Sequence, residues 1–203
     1  AIDLKNKTAV CGRLGRVKYN HLINTSALNS FAAKLVTPPS AVKRAAQKLK
    51  HNTVYVLNLG VRNVKCGMHW AYFPEKKFPF YRAGIASNFS KRLAPEGLAS
   101  FYIETATPGG PINLARTEAA IINGLIKCAM VNRERDICES LWLEIPCAYV
   151  IYNRERAEAL PVIFDWLKTR RAQSIGRYGS WKYSFMEESV KEGIEAAERI
   201  LHG

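Results

Sequence analysis

Apolar and polar positions along this chain follow two periods, and the switches between them mark its elements. Thr53-Val54-Tyr55-Val56-Leu57-Asn58-Leu59-Gly60-Val61 is β-rich and apolar almost throughout, which predicts a strand covered on both faces. Leu98 to Thr105 predicts a second strand, stopped by the turn Pro108-Gly109-Gly110-Pro111. Leu141 to Tyr152 predicts a third, interrupted at Pro146, whose missing N–H suits a sheet edge or a bulge. Shorter strands are expected at Thr8-Ala9-Val10 and from Tyr19 to Thr25, joined by the basic turn Gly12-Arg13-Leu14-Gly15-Arg16. Helical spacing takes over elsewhere. Val42, Ala45, Ala46 and Leu49 make one stripe after the stop Pro38-Pro39-Ser40, and Ala119, Ile122, Leu125, Ile126 and Ala129 make another in a helix expected to begin near Thr117-Glu118. Val162, Ile163, Trp166 and Leu167 form a third buried face, with Pro161 in the first turn. Val190, Ile194, Ala197 and Leu201 recur in the last helix, and Ser184 and Glu187 have the spacing of a capping box, so that helix should start near Phe185. The elements predict an α+β fold, one mixed and largely antiparallel sheet with flanking helices, in a single domain without internal repeats.

Composition narrows the classes. At 203 residues and 48% hydrophobic the chain can form its own core, burying about 70% of its unfolded surface. It holds no apolar run long enough to span a bilayer and no signal-like segment behind the opening charges, so a soluble, cytoplasmic protein is expected. Cys11, Cys66, Cys128, Cys138 and Cys147 are odd in number and contain no C-x-x-C pair, which argues against a disulfide framework. Cys66 and His69 alone have a ligand-like spacing, and no second pair completes it, so no metal site is expected. The formal charge of +13 favours anionic partners. It supports one reading as a non-catalytic basic module that binds nucleic acid or another polyanion. A G-x-G-x-x-G turn between strand and helix occurs nowhere in the sequence, so a dinucleotide-binding half is not encoded in it.

Candidate chemistry concentrates between Gly176 and Glu187. Arg177 lies on a turn between Gly176 and Gly179, where a guanidinium can hold a phosphate through two parallel hydrogen bonds. Tyr178, Trp181 and Tyr183 can wall a planar ring, and the first N–H groups of the helix beginning near Met186 and Glu187 can meet an electron-rich ligand atom. Upstream, the aromatics of His69 to Pro74 and Phe78 to Tyr81 cluster around proline breaks beside a single arginine, Arg82, which suggests a second ligand wall.

Gly176-Arg177-Tyr178-Gly179, Trp181, Tyr183, Met186-Glu187 and Glu192-Gly193-Ile194-Glu195-Ala196-Ala197 resemble the C-terminal FAD-binding segment of UDP-galactopyranose mutase-like flavoproteins. Amine oxidases and protoporphyrinogen oxidases share a looser form. The resemblance implies FAD as cofactor, bound by Gly176, Arg177 and Tyr178, with Arg177 at its pyrophosphate, and by Met186 with Glu187 at the flavin pyrimidine edge. It also implies Tyr183 at a substrate phosphate, and Arg82, in Pro79-Phe80-Tyr81-Arg82, against flavin and a nucleotide-sugar or other anionic small molecule. An aromatic near the end of the third strand should reach the substrate phosphate; Tyr149 and Tyr152 both fit. By the same resemblance, residues about 1–37 and 173–203 return to the cofactor side and about 38–172 correspond to a substrate domain. The chain would then be part of an FAD-dependent oxidoreductase or sugar-nucleotide mutase, inactive without an upstream Rossmann-type chain or segment. Two positions depart from the mutase pattern: Phe185 stands where an acidic residue is usual, and Tyr178 where an aliphatic one is. No side chain stands out as a catalytic acid or base.

Overall fold

A computed structural model describes residues 1–202. The chain runs through β1 (Ile2–Asp3), β2 (Thr8–Val10), β3 (Arg16–Lys18), β4 (Leu22–Asn24), α1 (Leu28–Ala33), α2 (Ser40–Gln47), β5 (His51–Arg62), β6 (Trp70–Tyr72), β7 (Arg82–Ile85) and β8 (Leu98–Thr107). It continues through α3 (Leu114–Lys127), β9 (Ile137–Val150), α4 (Arg154–Thr169), β10 (Ala172–Ser174), α5 (Gly176–Gly179) and α6 (Met186–Leu201). The class is α+β, as the patterning predicts. The strands form three sheets rather than one, and the elements gather into two compact units, Asn52–Ala148 and Ala1–His51 with the chain from Tyr149 onward.

The unit Asn52–Ala148 is built on a sheet of order β6-β7-β8-β5-β9. β7 pairs antiparallel with β6 and β8, and β8 with β5. Thr53 donates to the Pro146 carbonyl and Asn58 to that of Leu141, so β9 also runs opposite to β5. β9 is the edge strand, which is where Pro146 removes no needed donor. The core joins Leu57, Leu59 and Val61 of β5 to Ala83 and Ile85 of β7, Phe101 and Ile103 of β8, and Ile121 and Leu125 of α3. Alternation along β8 buries Ala99, Phe101 and Ile103 while leaving Tyr102 and Glu104 only partly covered, and the register sets Gly84 opposite Tyr102 and Arg82 opposite Glu104. The helix expected from Thr117 starts at Leu114, because the Asn113 side chain accepts from the Arg116 N–H at 3.0 Å and caps it there.

In the other unit, β1, β2 and β3 form an antiparallel meander. Thr8–Val10 pairs with Arg16–Lys18, at the end of the basic turn, while Leu22–Asn24, within the second expected strand, pairs in parallel with β10. Residue spacing cannot reveal a partner about 150 positions away. α2 buries Val42, Ala45 and Ala46, with Leu49 buried just beyond its end, and packs on α1 and α4. Pro161 lies inside α4 rather than in its first turn, because Asn153 caps the helix by accepting from the Arg156 N–H at 2.9 Å. Of the expected α4 face, Ile163 and Leu167 are buried and Val162 is exposed.

α6 begins at Met186, as expected, but without the capping box. Phe185 occupies the cap position and supplies no side-chain bond, and the buried Ser184 hydroxyl donates to the Phe185 carbonyl at 3.3 Å. The apolar stripe read from the spacing is turned to solvent: Val190 is 63%, Ile194 56% and Leu201 77% exposed, and Ala196 is the helix's buried residue. No helix among the described residues is long and apolar enough to cross a membrane.

Candidate functional site

α5 is a single turn held by short side chains and two glycines. Gly176 enters it at φ 76°, the left-handed region that a Cβ disfavours. Gly179 answers a different demand, since a Cβ there would lie 2.6 Å from the Asn24 carbonyl oxygen. The buried Asn24 amide donates to Ser174 Oγ at 2.8 Å, and Ser174 donates in turn to the Gly179 carbonyl at 2.8 Å, tying α5 to β4 and β10.

Arg177 leaves this turn half-buried. Its Nη1 donates to the Ser184 carbonyl at 3.1 Å, and its guanidinium carbon lies 5.0 Å from the Tyr149 ring centroid, 4.8 Å from Tyr183 and 6.0 Å from Tyr178. Tyr149 and Tyr183 are nearly parallel, 17° apart with centroids at 6.1 Å. A cation against ring faces is favourable, more so where water is partly excluded. Tyr152 is used differently: its hydroxyl accepts from the Tyr183 N–H at 2.8 Å, and Arg156 stacks on its ring at 4.0 Å. Arg156 also donates twice to the Trp181 carbonyl, at 2.9 and 2.7 Å. The structure therefore gathers Arg177, Tyr149, Tyr178 and Tyr183, with Tyr152 one contact away and the exposed Met186 and Glu187 following at the start of α6. Trp181, expected to wall a ligand ring, does not: it is fully buried, edge-on to His51 at 6.1 Å, and is a core residue.

A charged network braces the turn. Lys182 pairs with Glu188 and, at 2.6 Å, with Glu192. Glu192 also accepts from the Gly176 N–H and, at 3.2 Å, from the Ser180 hydroxyl. Burial alone would raise the Glu192 carboxyl and lower the Lys182 ammonium; their hydrogen bonds and opposite charges outweigh it, so Glu192 is held below and Lys182 above the ordinary value.

Arg82 belongs to the other unit. Its guanidinium carbon lies 5.4 to 5.8 Å from the ring centroids of Trp70, Tyr72 and Tyr102. It pairs with Glu104 at 3.3 Å and donates to the Tyr102 hydroxyl at 3.3 Å, while Tyr81 donates to the same Glu104. The Arg82 Nε is buried and has no hydrogen-bond partner among the described residues. Sequence reasoning found Arg82 but missed Tyr102 and Glu104; their signal was there, as polar positions alternating with Phe101 and Ile103 along one strand. It also missed Lys182 and Arg156, and Glu192 stood in the quoted motif without a role. Among the described residues no three His, Cys, Asp or Glu side chains gather as metal ligands, and all five cysteines are free thiols.

No protein-family model matches the chain. Among solved structures, a UDP-galactopyranose mutase in its reduced form superposes with a TM-score of 0.91 at 26% identity, over 99% of this chain and 46% of that one. A fatty acid isomerase from P. acnes that produces CLA gives 0.69 at 11% identity, over 98% of this chain and 46% of its own. A proposed protoporphyrinogen oxidase from Exiguobacterium sp. 255-15 gives 0.70 at 10%, over 93% and 42%. The last two show a shared fold alone, and the chain spans less than half the length of each of the three. Through its fold and the motif around Arg177, the chain resembles the C-terminal part of UDP-galactopyranose mutase-like and protoporphyrinogen oxidase-like flavoproteins.

Proposed function

We propose that this chain is the substrate- and flavin-contacting part of an FAD-dependent oxidoreductase or sugar-nucleotide mutase-like protein, and that it works only with a Rossmann-type half supplied by another segment or chain. The observation that carries this reading is Arg177, packed by Tyr149 and Tyr183 on a glycine-flanked turn directly ahead of an open helix start. A Cβ placed on Gly176 would meet nothing within 4 Å, so the space beside the turn can admit a phosphate close to the backbone. Arg177 offers that phosphate a planar fork, with Tyr178 beside it. The start of α6 suits a different part of the ligand. Glu187 and Glu188 in its first turn repel an anion, whereas its unpaired N–H groups still donate to the carbonyl edge of a flavin pyrimidine, next to Met186 and Glu187.

FAD, when bound, supplies redox chemistry at its N5, and the chain supplies binding and orientation. Tyr183, with either Tyr149 or Tyr152, is assigned to substrate phosphate, and Arg82, with its unpaired Nε, to an anionic small molecule such as a nucleotide-sugar. The cofactor side is assigned to residues about 1–37 and 173–203 and the substrate side to about 38–172. Two features support a missing α/β partner: the parallel pair β4 and β10, since parallel sheets are ordinarily extended and covered, and the exposed apolar stripe of α6. Titration with FAD, followed by flavin absorbance and fluorescence, tests the reading, both on the chain alone and with an added chain carrying G-x-G-x-x-G. Saturable binding that Arg177→Ala weakens is expected; no binding in either case overturns it.

A second reading, a polyanion-binding module, has one specific observation in its favour. Lys168, Arg171, Arg199 and His21 line a cavity of about 500 Å³ whose walls carry no carboxylate. Salt dependence separates the two readings.

A further inference from the structure

We propose that Glu192 is the positioning residue of the Arg177 turn, holding from α6 the backbone on which the phosphate-binding guanidinium is mounted; the inference rests on the flavin reading above. Ser174 holds the turn at its Gly179 end, and its Gly176 end has no such local side-chain bond. Ile175 precedes it at the cap position without a side-chain bond, Gly176 and Gly179 bring the backbone freedom of two glycines, and no acidic residue lies in its first turn. The carboxylate that meets it comes from 16 residues downstream: Glu192 accepts from the Gly176 N–H, the residue immediately before Arg177, and from Ser180, the residue just after the turn. One side chain therefore touches both ends of a four-residue turn.

Lys182 gives this arrangement its charge logic. A bare carboxylate so close to a phosphate-binding arginine would repel the phosphate, whereas Lys182, at 2.6 Å from Glu192, offsets that charge on the side away from Gly176. Glu192 thus orders the turn while Lys182 offsets its charge. Both partners are largely covered, with Glu192 at 17% and Lys182 at 25% side-chain exposure, so solvent screens the pair only partly.

The test has two arms, each able to overturn the proposal or the flavin reading separately. In the first, amide exchange at Gly176 is followed by NMR in the full chain without ligand. Glu192→Ala is expected to speed it about tenfold or more, and Glu192→Gln, which keeps an acceptor, to restore most of the protection. Exchange in Glu192→Ala within twofold of wild type, with the remaining amides unchanged, overturns the proposal whatever the ligand. In the second arm, FAD and riboflavin are titrated into wild type, Glu192→Ala, Arg177→Ala and the double variant. Glu192→Ala should weaken FAD about tenfold and leave riboflavin, which lacks phosphate, nearly unchanged; the double variant should bind FAD no worse than Arg177→Ala. Additive losses, or equal losses for both ligands, reduce Glu192 to a general fold contact and overturn its positioning role. Absence of FAD binding in wild type, both alone and with the added G-x-G-x-x-G chain, removes the flavin reading, and the first arm still decides whether Glu192 holds the turn.

Discussion

Arg82 and Glu192 show how single residues here are held by charge in half-covered surroundings. Arg82 has rings on several sides and one carboxylate, Glu104, which is itself the better buried partner and also receives the Tyr81 hydroxyl. Glu104→Gln keeps the shape and removes the counter-charge, leaving a cation packed among aromatics. Because Arg82 retains some solvent contact, the expected loss is below that of a fully buried pair, about 1–2 kcal/mol, read as a lower urea midpoint at unchanged slope. Glu192 gives a pH prediction. Its folded carboxyl lies below the ordinary value of 4.5, so its contribution to stability is complete above that value and is lost as pH falls through the lower folded one. Lys182 works in the opposite sense: its folded ammonium lies above the ordinary 10.5, so its contribution is complete below 10.5 and is lost as pH rises through the higher folded value. Urea midpoints of Glu192→Gln should therefore fall less than those of wild type as pH is lowered from about 5 to 3.

The two long helices of the second half invert what their sequences suggest about burial. α4 carries a proline and mixed polarity yet buries Ala159, Ile163 and Leu167, whereas α6 carries the cleaner apolar stripe and exposes it. Ile163→Ala should cost about 2–4 kcal/mol through lost burial and the cavity left behind. Val190→Ser and Ile194→Ser should change the stability of this chain by less than about 0.5 kcal/mol, because water already covers those side chains. Chemical denaturation of all three variants checks both halves of the statement; a large loss at Ile194 would mean that the stripe is core. Elements whose signal is local were legible in the sequence: the β5 run, the α2 stripe, the edge position of Pro146 and the start of α6. What periodicity cannot carry was missed. It shows that a face is apolar but not what covers it, which is why it left the cover of the α6 stripe open and why Trp181, a core residue, was read as ligand wall. Nor can it show long-range pairings, so β10, three residues long, and its parallel pairing with β4 escaped notice. The Arg177 motif was legible as a motif, while the residues that hold it, Glu192, Lys182 and Arg156, came from elements whose placement only the fold reveals.

At the scale of the whole chain the governing quantity is the formal charge of +13. A charge of this size attracts any polyanion, so binding of nucleic acid at low salt would by itself say nothing about function. The dependence on salt does. A contact that neutralises about four phosphates releases counterions in proportion and should weaken roughly a hundredfold as salt rises fourfold from about 50 to 200 mM. FAD held by one guanidinium, ring faces and backbone N–H groups has few counterions to release, so its affinity should fall only about threefold over the same range. Parallel titrations with FAD and with a short DNA duplex, repeated in Arg177→Ala, distinguish the outcomes. If the chain is a flavin-contacting part, the FAD curve is shallow and is weakened in the variant, while the DNA curve is steep and unaffected by it. A steep dependence for both ligands, with Arg177→Ala inert in each, would mean that the cations act as an undifferentiated field and that the polyanion reading is the better one.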